Sequence, residues 1–195
     1  MNMISTFRPA AALLVLLTVL TGAVYPALVT GAARIAFRDQ ASGSLVIQDG
    51  KVRGARMIGQ AFTSPQYFWG RPSATGPMPN NAAGSSGSNQ GPLNPALQDT
   101  VKGRIAALRA ADPDNRAAVP VDLVTASASG LDPHISPAAA LYQAGRVAHA
   151  RKLERTRVEE LVRKHTAHPL LGFLGEERVN VLELNLDLDQ VAPAQ

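Results

Sequence analysis

The stretch Ala10-Ala-Ala-Leu-Leu-Val-Leu-Leu-Thr-Val-Leu20 lies at the centre of a segment, Pro9 to Ala33, that contains no charged residue. Arg8 precedes this segment and Arg34 follows it. About 20 apolar residues in an α-helix, each rising ~1.5 Å, cross a hydrocarbon layer ~30 Å thick. The segment therefore predicts a transmembrane helix over residues 9–33. A cleaved secretory signal sequence is the alternative, although its apolar core is usually shorter, at roughly 7–15 residues.

The predicted helix divides the rest of the chain into a short tail and one domain. Residues 1–8 form the tail, and residues 34–195 are enough for one soluble domain. Basic residues do not fix the orientation, because Arg8 precedes the helix whereas Arg34 and Arg38 follow it. Large domains cross a membrane largely regardless of nearby charge. We expect the tail in the cytoplasm and the domain outside it.

Charge and cysteine content narrow the function classes. The net charge is +4, from 19 basic and 15 acidic residues. The basic residues are scattered, whereas nucleic-acid binding favours a clustered basic stripe with stacking aromatic residues. We therefore expect no nucleic-acid partner. The chain has no cysteine, which is compatible with either side of a membrane.

Turn and cap residues divide the first part of the domain. Asp49-Gly50 is a strong turn dipeptide and predicts a hairpin over residues 44–58. Gly, Pro, Ser and Asn dominate from Thr75 to Pro95, and loops of this length are usually functional or disordered. Asn94-Pro95 suits the N-cap and first position of a helix that runs to about Arg109.

Helices and strands are mixed in the second part. The apolar residues 119–124 predict a short strand, and Ser136-Pro137 predicts the start of a helix to Arg151. Thr156-x-x-Glu159 resembles a capping box that opens a third helix to about residue 165. Residues 179–188 alternate apolar and polar side chains, which is typical of a half-buried strand. We predict an α+β fold with helices on a small sheet. The inward residues of the second helix are expected to be Ala140, Leu141, Val147 and Ala148.

Several polar groups are candidates for chemistry, and none completes a catalytic set. Ser129 with His134 suggests a hydrolase, but the Gly-x-Ser-x-Gly nucleophile elbow is absent, and turn or capping hydroxyls explain the run better. His165 and His168 could share a helix face, yet no third ligand is near in sequence, so no metal is expected. The Gly-Ser-rich residues 84–91 lack the lysine that a P-loop requires.

Gln143 and Arg146 are weak candidates for a ligand site on the second helix. The glutamine amide could hydrogen-bond a base, and the arginine could hold an anion. Residues of this kind are also ordinary on a helix surface. The chemistry of the two side chains leaves both interpretations open.

Eight segments of this chain form recognisable motifs: Met57–Gln60, Tyr67–Ala74, Gly87–Asn89, Asn94–Leu97, Val121–Ser136, Tyr142–Gln143, Arg146–Ala148 and Val179–Asp189. These motifs resemble the C subunit of the Kdp-type potassium-transporting P-type ATPase. They occur in the family's order and cover nearly the whole chain, including the apolar helix. Two departures affect local loop geometry: Ser86 stands before Gly87 where the family tends to have glycine, and Lys152 stands where a helix-ending glycine is expected.

The resemblance implies an accessory role in a potassium pump. The family's complex has a channel-like subunit that selects potassium and a P-type subunit that hydrolyses ATP through an aspartyl phosphate. The C subunit is thought to assemble or stabilise the complex and to promote ATP binding by the P-type subunit. For this chain the resemblance implies no catalytic residue, no metal and no tightly bound cofactor. ATP would be bound through the partner subunit. The Asp-Lys-Thr-Gly phosphorylation motif does not occur in this chain.

The resemblance also implies a location and a set of contact residues. The chain is expected in the bacterial inner membrane, with one pass through the lipid and most of the chain on the periplasmic side. Gln143 and Arg146 are the candidate nucleotide contacts. A periplasmic domain could not reach cytoplasmic ATP, so we favour a cap over the ion entrance of the channel-like subunit. An anchored periplasmic serine hydrolase and a stand-alone binding module are the alternatives. The expected partner contacts are Tyr67, Phe68, Arg71, Ser88 and Asn89.

Overall fold

A computed structural model describes residues 3–193, and they divide into two compact units, one up to Leu45 and one from Val46. The first unit is almost entirely helical. Its segments are α1 (Met3–Val19), a π-helical turn (Leu20–Val24), α2 (Tyr25–Ala36) and α3 (Arg38–Ala41).

The apolar helix of the first unit is long enough to cross a membrane. The apolar span runs from Thr6 to Ala36, contains an 18-residue stretch with a mean hydropathy of 2.2, and includes the predicted residues 9–33. The π-helical turn lies just before Pro26, which has no N–H to donate. The N–H of Tyr25 donates to the carbonyl of Leu20, five residues back, so the helix continues past the proline.

Two local predictions for the first part of the second unit are confirmed. The hairpin consists of β1 (Leu45–Gln48) and β2 (Lys51–Ala55), and Asp49 and Gly50 both have positive φ, of 53° and 71°. This is the backbone that a tight two-residue hairpin turn requires. Helix α4 (Pro95–Ala111) begins after Asn94, whose side chain accepts a hydrogen bond from the N–H of Ala96 at 3.0 Å.

The strand predicted over residues 119–124 is wrong. Val121–Leu123 form one turn of 3-10 helix instead. The N–H of Val124 donates to the carbonyl of Val121, and the Asp122 carboxylate accepts from the N–H of Ser136 at 2.8 Å. A short apolar run does not by itself distinguish a strand from a buried turn.

The strand predicted over residues 179–188 is also wrong beyond its first residues. β5 covers only Arg178–Asn180, and α7 (Val181–Val191) follows at once. The Asn180 side chain caps this helix by accepting from the N–H of Glu183 at 3.1 Å. The spacing of the buried residues Val181, Leu184 and Leu188 is helical, and it coexists with the alternation that suggested a strand.

Helices α5 (Pro137–Arg151) and α6 (Arg155–Lys164) were predicted with mixed success. Ser136 caps α5 as expected, but Leu141, predicted to face inward, is 37% exposed. The capping box is wrong, because α6 begins one residue before Thr156 and Glu159 instead forms an ion pair with Arg155 at 2.7 Å.

Besides the two-stranded hairpin, the second unit has a small antiparallel sheet of three strands. Its strands are β3 (His134–Ile135), β5 and β4 (Thr166–Ala167), in the order β3-β5-β4. Helices α5 and α7 pack against β5, and α6 packs against both helices, so the mixed α+β class is confirmed. Two carboxamides are among the largest fully buried side chains, which are Phe68, Gln143, Val147, Val158, Val162, Val179, Leu184, Asn185 and Leu188.

Candidate functional site

The best-defined polar arrangement in the domain surrounds residues 65–71, which we call the aromatic segment. The segment lies outside the two sheets, so its backbone N–H and C=O groups need other partners. Side chains from α5 and α7 supply them. The N–H of Trp69 donates to Oε1 of Gln143 at 2.9 Å, and Nε2 of Gln143 donates to the carbonyl of Trp69 at 3.0 Å.

Asn185 makes the same pair of bonds one residue earlier. The N–H of Phe68 donates to Oδ1 of Asn185 at 2.9 Å, and Nδ2 of Asn185 donates to the carbonyl of Phe68 at 3.0 Å. A carboxamide presents one donor and one acceptor side by side, as a neighbouring strand would. We call Gln143 and Asn185 together the carboxamide clamp.

Arg146 joins the carboxamide clamp to the rest of the segment. Its Nη2 donates to Oε1 of Gln143 at 2.7 Å, and its Nη1 donates to the carbonyls of Pro65 and Tyr67. The guanidinium also stacks over the Trp69 ring, 4.1 Å from the ring centre. Burial lowers the pKa of Arg146 to about 10, so the side chain stays charged at neutral pH.

Arg151 fixes the other end of the segment. Its side chain is 2% exposed, donates to the carbonyl of Gln66 at 2.7 Å and forms an ion pair with Asp189 at 2.7 Å. The guanidinium lies 4.7 Å from the ring centre of Tyr67, whose hydroxyl donates to Asp189 at 3.2 Å. Burial, followed by the charge of Asp189, raises the pKa of Tyr67.

The two candidate nucleotide contacts lie inside the domain. Gln143 is 1% and Arg146 5% exposed, so the interpretation of them as ordinary helix-surface residues is wrong. Both polar atoms of the Gln143 amide already bond to protein groups, among them a second bond from Nε2 to the carbonyl of Ala139. In this structure they do not fit a nucleotide unless Trp69 moves. Nucleotide contact at these positions stays a prediction.

The predicted long loop is closely packed against a second loop, residues 126–132. A Cβ on Gly87 would lie 2.8 Å from the carbonyl oxygen of Ala128. A Cβ on Gly130, which has a φ of +68°, would lie 2.6 Å from the carbonyl oxygen of Ser86. These close backbone approaches require glycine. At Ser86 the contact is made by the backbone, so a serine serves as well as a glycine there.

A side-chain hydroxyl group adds hydrogen bonds within this pair of loops, whereas the tip of the long loop, at Ser88 and Asn89, stays exposed. The Ser73 hydroxyl donates to the carbonyl of Gly130 at 2.7 Å and accepts from the N–H of Asn80 at 2.9 Å. Ser88 and Asn89 are exposed, and Asn89 has a φ of 52°. Of the expected partner contacts, these two are exposed, whereas Phe68 is fully buried.

Arg71 borders an open cavity of about 580 Å³ at the end of the aromatic segment. Its Nη1 lies 3.1 Å from Asp132, which is also 3.5 Å from Nδ1 of His134. Burial alone would raise the pKa of Asp132, but hydrogen bonds from His134 and Arg71 outweigh burial and lower it. Asp122, Glu176 and Glu177 also line the cavity.

The hydrolase pair is not assembled in this arrangement. The Ser129 hydroxyl accepts a hydrogen bond from the N–H of Leu131 at 3.1 Å, as a turn serine does. Within residues 3–193 no hydrogen bond joins Ser129 to His134.

The two histidines considered for a metal have separate partners. His165 ends α6 and lies 2.9 Å from Asp187, whereas His168 lies 2.8 Å from Glu177. Hydrogen bonds from Lys164 and then His165 lower the pKa of Asp187. Over the described part of the chain, no cluster of three potential metal ligands was found.

Sequence reasoning missed Asn185 and Arg151. The alternation over residues 179–188 puts Asn185 among the polar, outward side chains of the predicted strand, but a helical spacing puts it on the same side as Val181 and Leu188. A single asparagine within a leucine-rich helical face is the signal that could have identified it. From the sequence, Arg151 could be recognised only as a basic residue in the last turn of α5.

Comparison with known proteins agrees with the resemblance that the sequence motifs carry. A family model described as "K+-transporting ATPase, c chain" matches residues 7–190. The chain belongs to the KdpC family. It is 66% identical over 186 residues to a Potassium-transporting ATPase KdpC subunit of Polaromonas naphthalenivorans (strain CJ2), covering 95% of each chain.

Two further KdpC relatives align over almost their whole length. The KdpC subunit of Herminiimonas arsenicoxydans is 63% identical over 95% of this chain and 98% of its own. That of Variovorax paradoxus (strain S110) is 63% identical over 98% of this chain and 99% of its own. The chain is thus a subunit of a potassium uptake complex, which implies other Kdp subunits as partners. The apolar helix fits single-pass anchoring in a membrane.

Proposed function

We propose that this chain is a non-catalytic accessory subunit that assembles and stabilises the Kdp complex and so promotes ATP binding by the ATP-hydrolysing subunit. Its domain lies on the periplasmic side of the inner membrane, over the ion entrance of the channel-like subunit. The proposal combines the family membership with the way the domain uses its polar groups.

The carboxamide clamp is the observation that carries the proposal. Gln143, Arg146 and Asn185 are buried polar residues of the helices, and each bonds to the aromatic segment. Buried groups that are fully bonded within the chain rigidify a surface, whereas a reactive centre keeps groups open to its substrate. A rigid surface suits docking between subunits, because little ordering entropy is lost on binding.

The exposed tip of the paired loops is the proposed contact with the other subunits. Gly87 and Gly130 hold the two loops together, and Ser88 and Asn89 stand at the exposed end. Their hydroxyl and amide groups provide directional hydrogen bonding without charge. Tyr67 and Arg71 contribute to this contact indirectly, because they help to position the aromatic segment, which supports the surface.

The ATP dependence of the assembled complex tests the accessory role. ATPase activity is measured against ATP concentration for the complex with and without this chain, and for the isolated chain. We expect the chain to lower the ATP concentration that gives half-maximal activity, and the isolated chain to hydrolyse no ATP. Turnover by the isolated chain, or an unchanged ATP dependence, would overturn the proposal.

Cysteine labelling in intact cells tests the periplasmic placement. Gln143 is too buried to serve as a probe, whereas Leu93 is 93% exposed and the chain contains no native cysteine. A Leu93→Cys variant should react with a membrane-impermeant maleimide added to intact cells. Reaction only after the cells are opened would place the domain in the cytoplasm instead.

A further inference from the structure

The turn between β4 and β5 carries an exposed apolar surface that neither the fold nor the proposed function uses. We call residues 169–175, Pro-Leu-Leu-Gly-Phe-Leu-Gly, the apolar tip. Scattered exposed apolar residues are normal, but a contiguous group marks an interaction site. The exposed fractions are 69% for Leu170, 75% for Leu171, 73% for Phe173 and 51% for Leu174.

Several backbone groups of the apolar tip are hydrogen-bonded within the tip itself. Leu170 and Leu174 exchange two hydrogen bonds, at 3.2 and 2.9 Å. The N–H groups of Gly172 and Phe173 donate to the carbonyls of Pro169 and Leu170. A segment that enters hydrocarbon must meet its backbone hydrogen bonds internally, because the lipid supplies no partner.

The side chains of the apolar tip cannot form hydrogen bonds with a partner. Between Pro169 and Gly175 no side chain carries a hydrogen-bond donor or acceptor. Protein interfaces normally include about one hydrogen bond per 100–200 Å². This composition favours a non-directional apolar environment over the groove of another protein.

A histidine precedes the tip, and charged residues follow it immediately. His168 lies 2.8 Å from Glu177, with Glu176 and Arg178 beside them in sequence. An apolar end above a charged collar is the pattern of elements that enter the boundary between lipid head groups and acyl chains. Because the collar contains both signs of charge, attraction to anionic lipid is not its main contribution.

We propose that the apolar tip inserts into the surface of a phospholipid bilayer and gives the domain a second membrane attachment. The occupant is the lipid itself, at the depth of the head groups and the first methylene groups. The anchoring helix keeps the domain near a bilayer, so even weak insertion acts at a high effective concentration. The inference does not depend on the assembly role or on which side of the membrane the domain lies.

Depth-dependent fluorescence quenching of the full-length chain in liposomes tests this inference. A Phe173→Cys variant and a Leu93→Cys control are labelled with an environment-sensitive dye and reconstituted into phosphatidylcholine that carries nitroxide-labelled lipid. The absence of native cysteine makes each label unique. We expect a blue shift and strong quenching at position 173, unchanged by high salt, and neither effect at position 93.

A variant with two further substitutions separates insertion from misfolding. Leu170→Ser with Leu171→Asn, in the Phe173→Cys background, should reduce quenching about tenfold, because two large apolar side chains no longer enter lipid. Fluorescence of Trp69, the only tryptophan, should stay unchanged. A water-exposed label at 173 would overturn the inference. A blue shift without lipid quenching that appears only with the other Kdp subunits would also overturn it and indicate a protein groove.

Discussion

The carboxamide of Asn185 forms two hydrogen bonds with the backbone of Phe68, a residue 117 positions earlier in the chain. Phe68 itself is fully buried, so the pair holds an aromatic anchor in the core. Together with Gln143 on Trp69, it takes the place of a strand for a segment outside the two sheets. Substitutions at such pairs affect stability through the groups they leave unpaired.

Asn185→Leu should destabilise the domain by about 3 kcal/mol, because the N–H and C=O of Phe68 would be buried without partners. The free energy of unfolding by urea, measured on the detergent-solubilised full-length chain, checks this. Gln190→Leu is the matched control, since Gln190 lies on the same helix but is exposed. Equal stabilities of the two variants would contradict the role of the clamp.

Arg151→Lys should lower the free energy of unfolding by about 2 kcal/mol although the charge is kept. The guanidinium bonds to Gln66 and Asp189 and lies against the Tyr67 ring, and an ammonium group cannot reproduce this fork. Arg157→Lys, at a side chain 56% exposed, is expected to change stability little. An unaffected unfolding midpoint for Arg151→Lys would show that the network contributes little.

Lys152→Gly should stabilise the domain by about 1 kcal/mol. Lys152 ends α5 with a φ of 56°, a left-handed backbone that costs least for glycine. Lys152→Ala separates the backbone effect from loss of the side chain, because alanine keeps the Cβ. Thermal unfolding followed by circular dichroism measures both, and a destabilised glycine variant would contradict the prediction.

Asp132→Asn should make the free energy of unfolding less dependent on pH under acidic conditions. The pKa of Asp132 is lowered on folding, so its contribution is present above the ordinary carboxyl value of about 4 and is lost as the pH falls through the lower folded value. The free energy of unfolding of the wild-type chain should therefore decline more steeply below pH 4 than that of the variant. Asp114→Asn serves as the control, because Asp114 is an exposed carboxylate that lies away from Arg71. Parallel profiles for wild type and Asp132→Asn would contradict the prediction.

Local signals in the sequence predicted the parts of the fold that depend on neighbouring residues. The hairpin turn at Asp49-Gly50 and the N-caps Asn94 and Ser136 form as expected, because each involves groups within a few residues. The final helix was missed because residues 181–188 satisfy a period of two as well as a helical spacing. Only packing against the other helices decides between them.

The candidate site depends on distant pairs and was therefore predicted only in part. The chemistry of their side chains drew attention to Gln143 and Arg146 but not to their role in the core, since Gln143 and Trp69 are 74 residues apart. Asn185 was hidden by the wrong strand prediction. Exposure of Ser88 and Asn89 agrees with the expected contact loop, and their role as partner contacts stays a prediction.

Co-purification of the affinity-tagged full-length chain from a mild detergent extract tests the central claim most directly. The account predicts that the other Kdp subunits elute with the chain in a fixed ratio. Ser88→Ala with Asn89→Gly, which keeps the left-handed backbone at residue 89, should reduce their yield, whereas Lys152→Gly should not. A wild-type chain that elutes alone, with Trp69 fluorescence typical of the folded domain, would contradict the account.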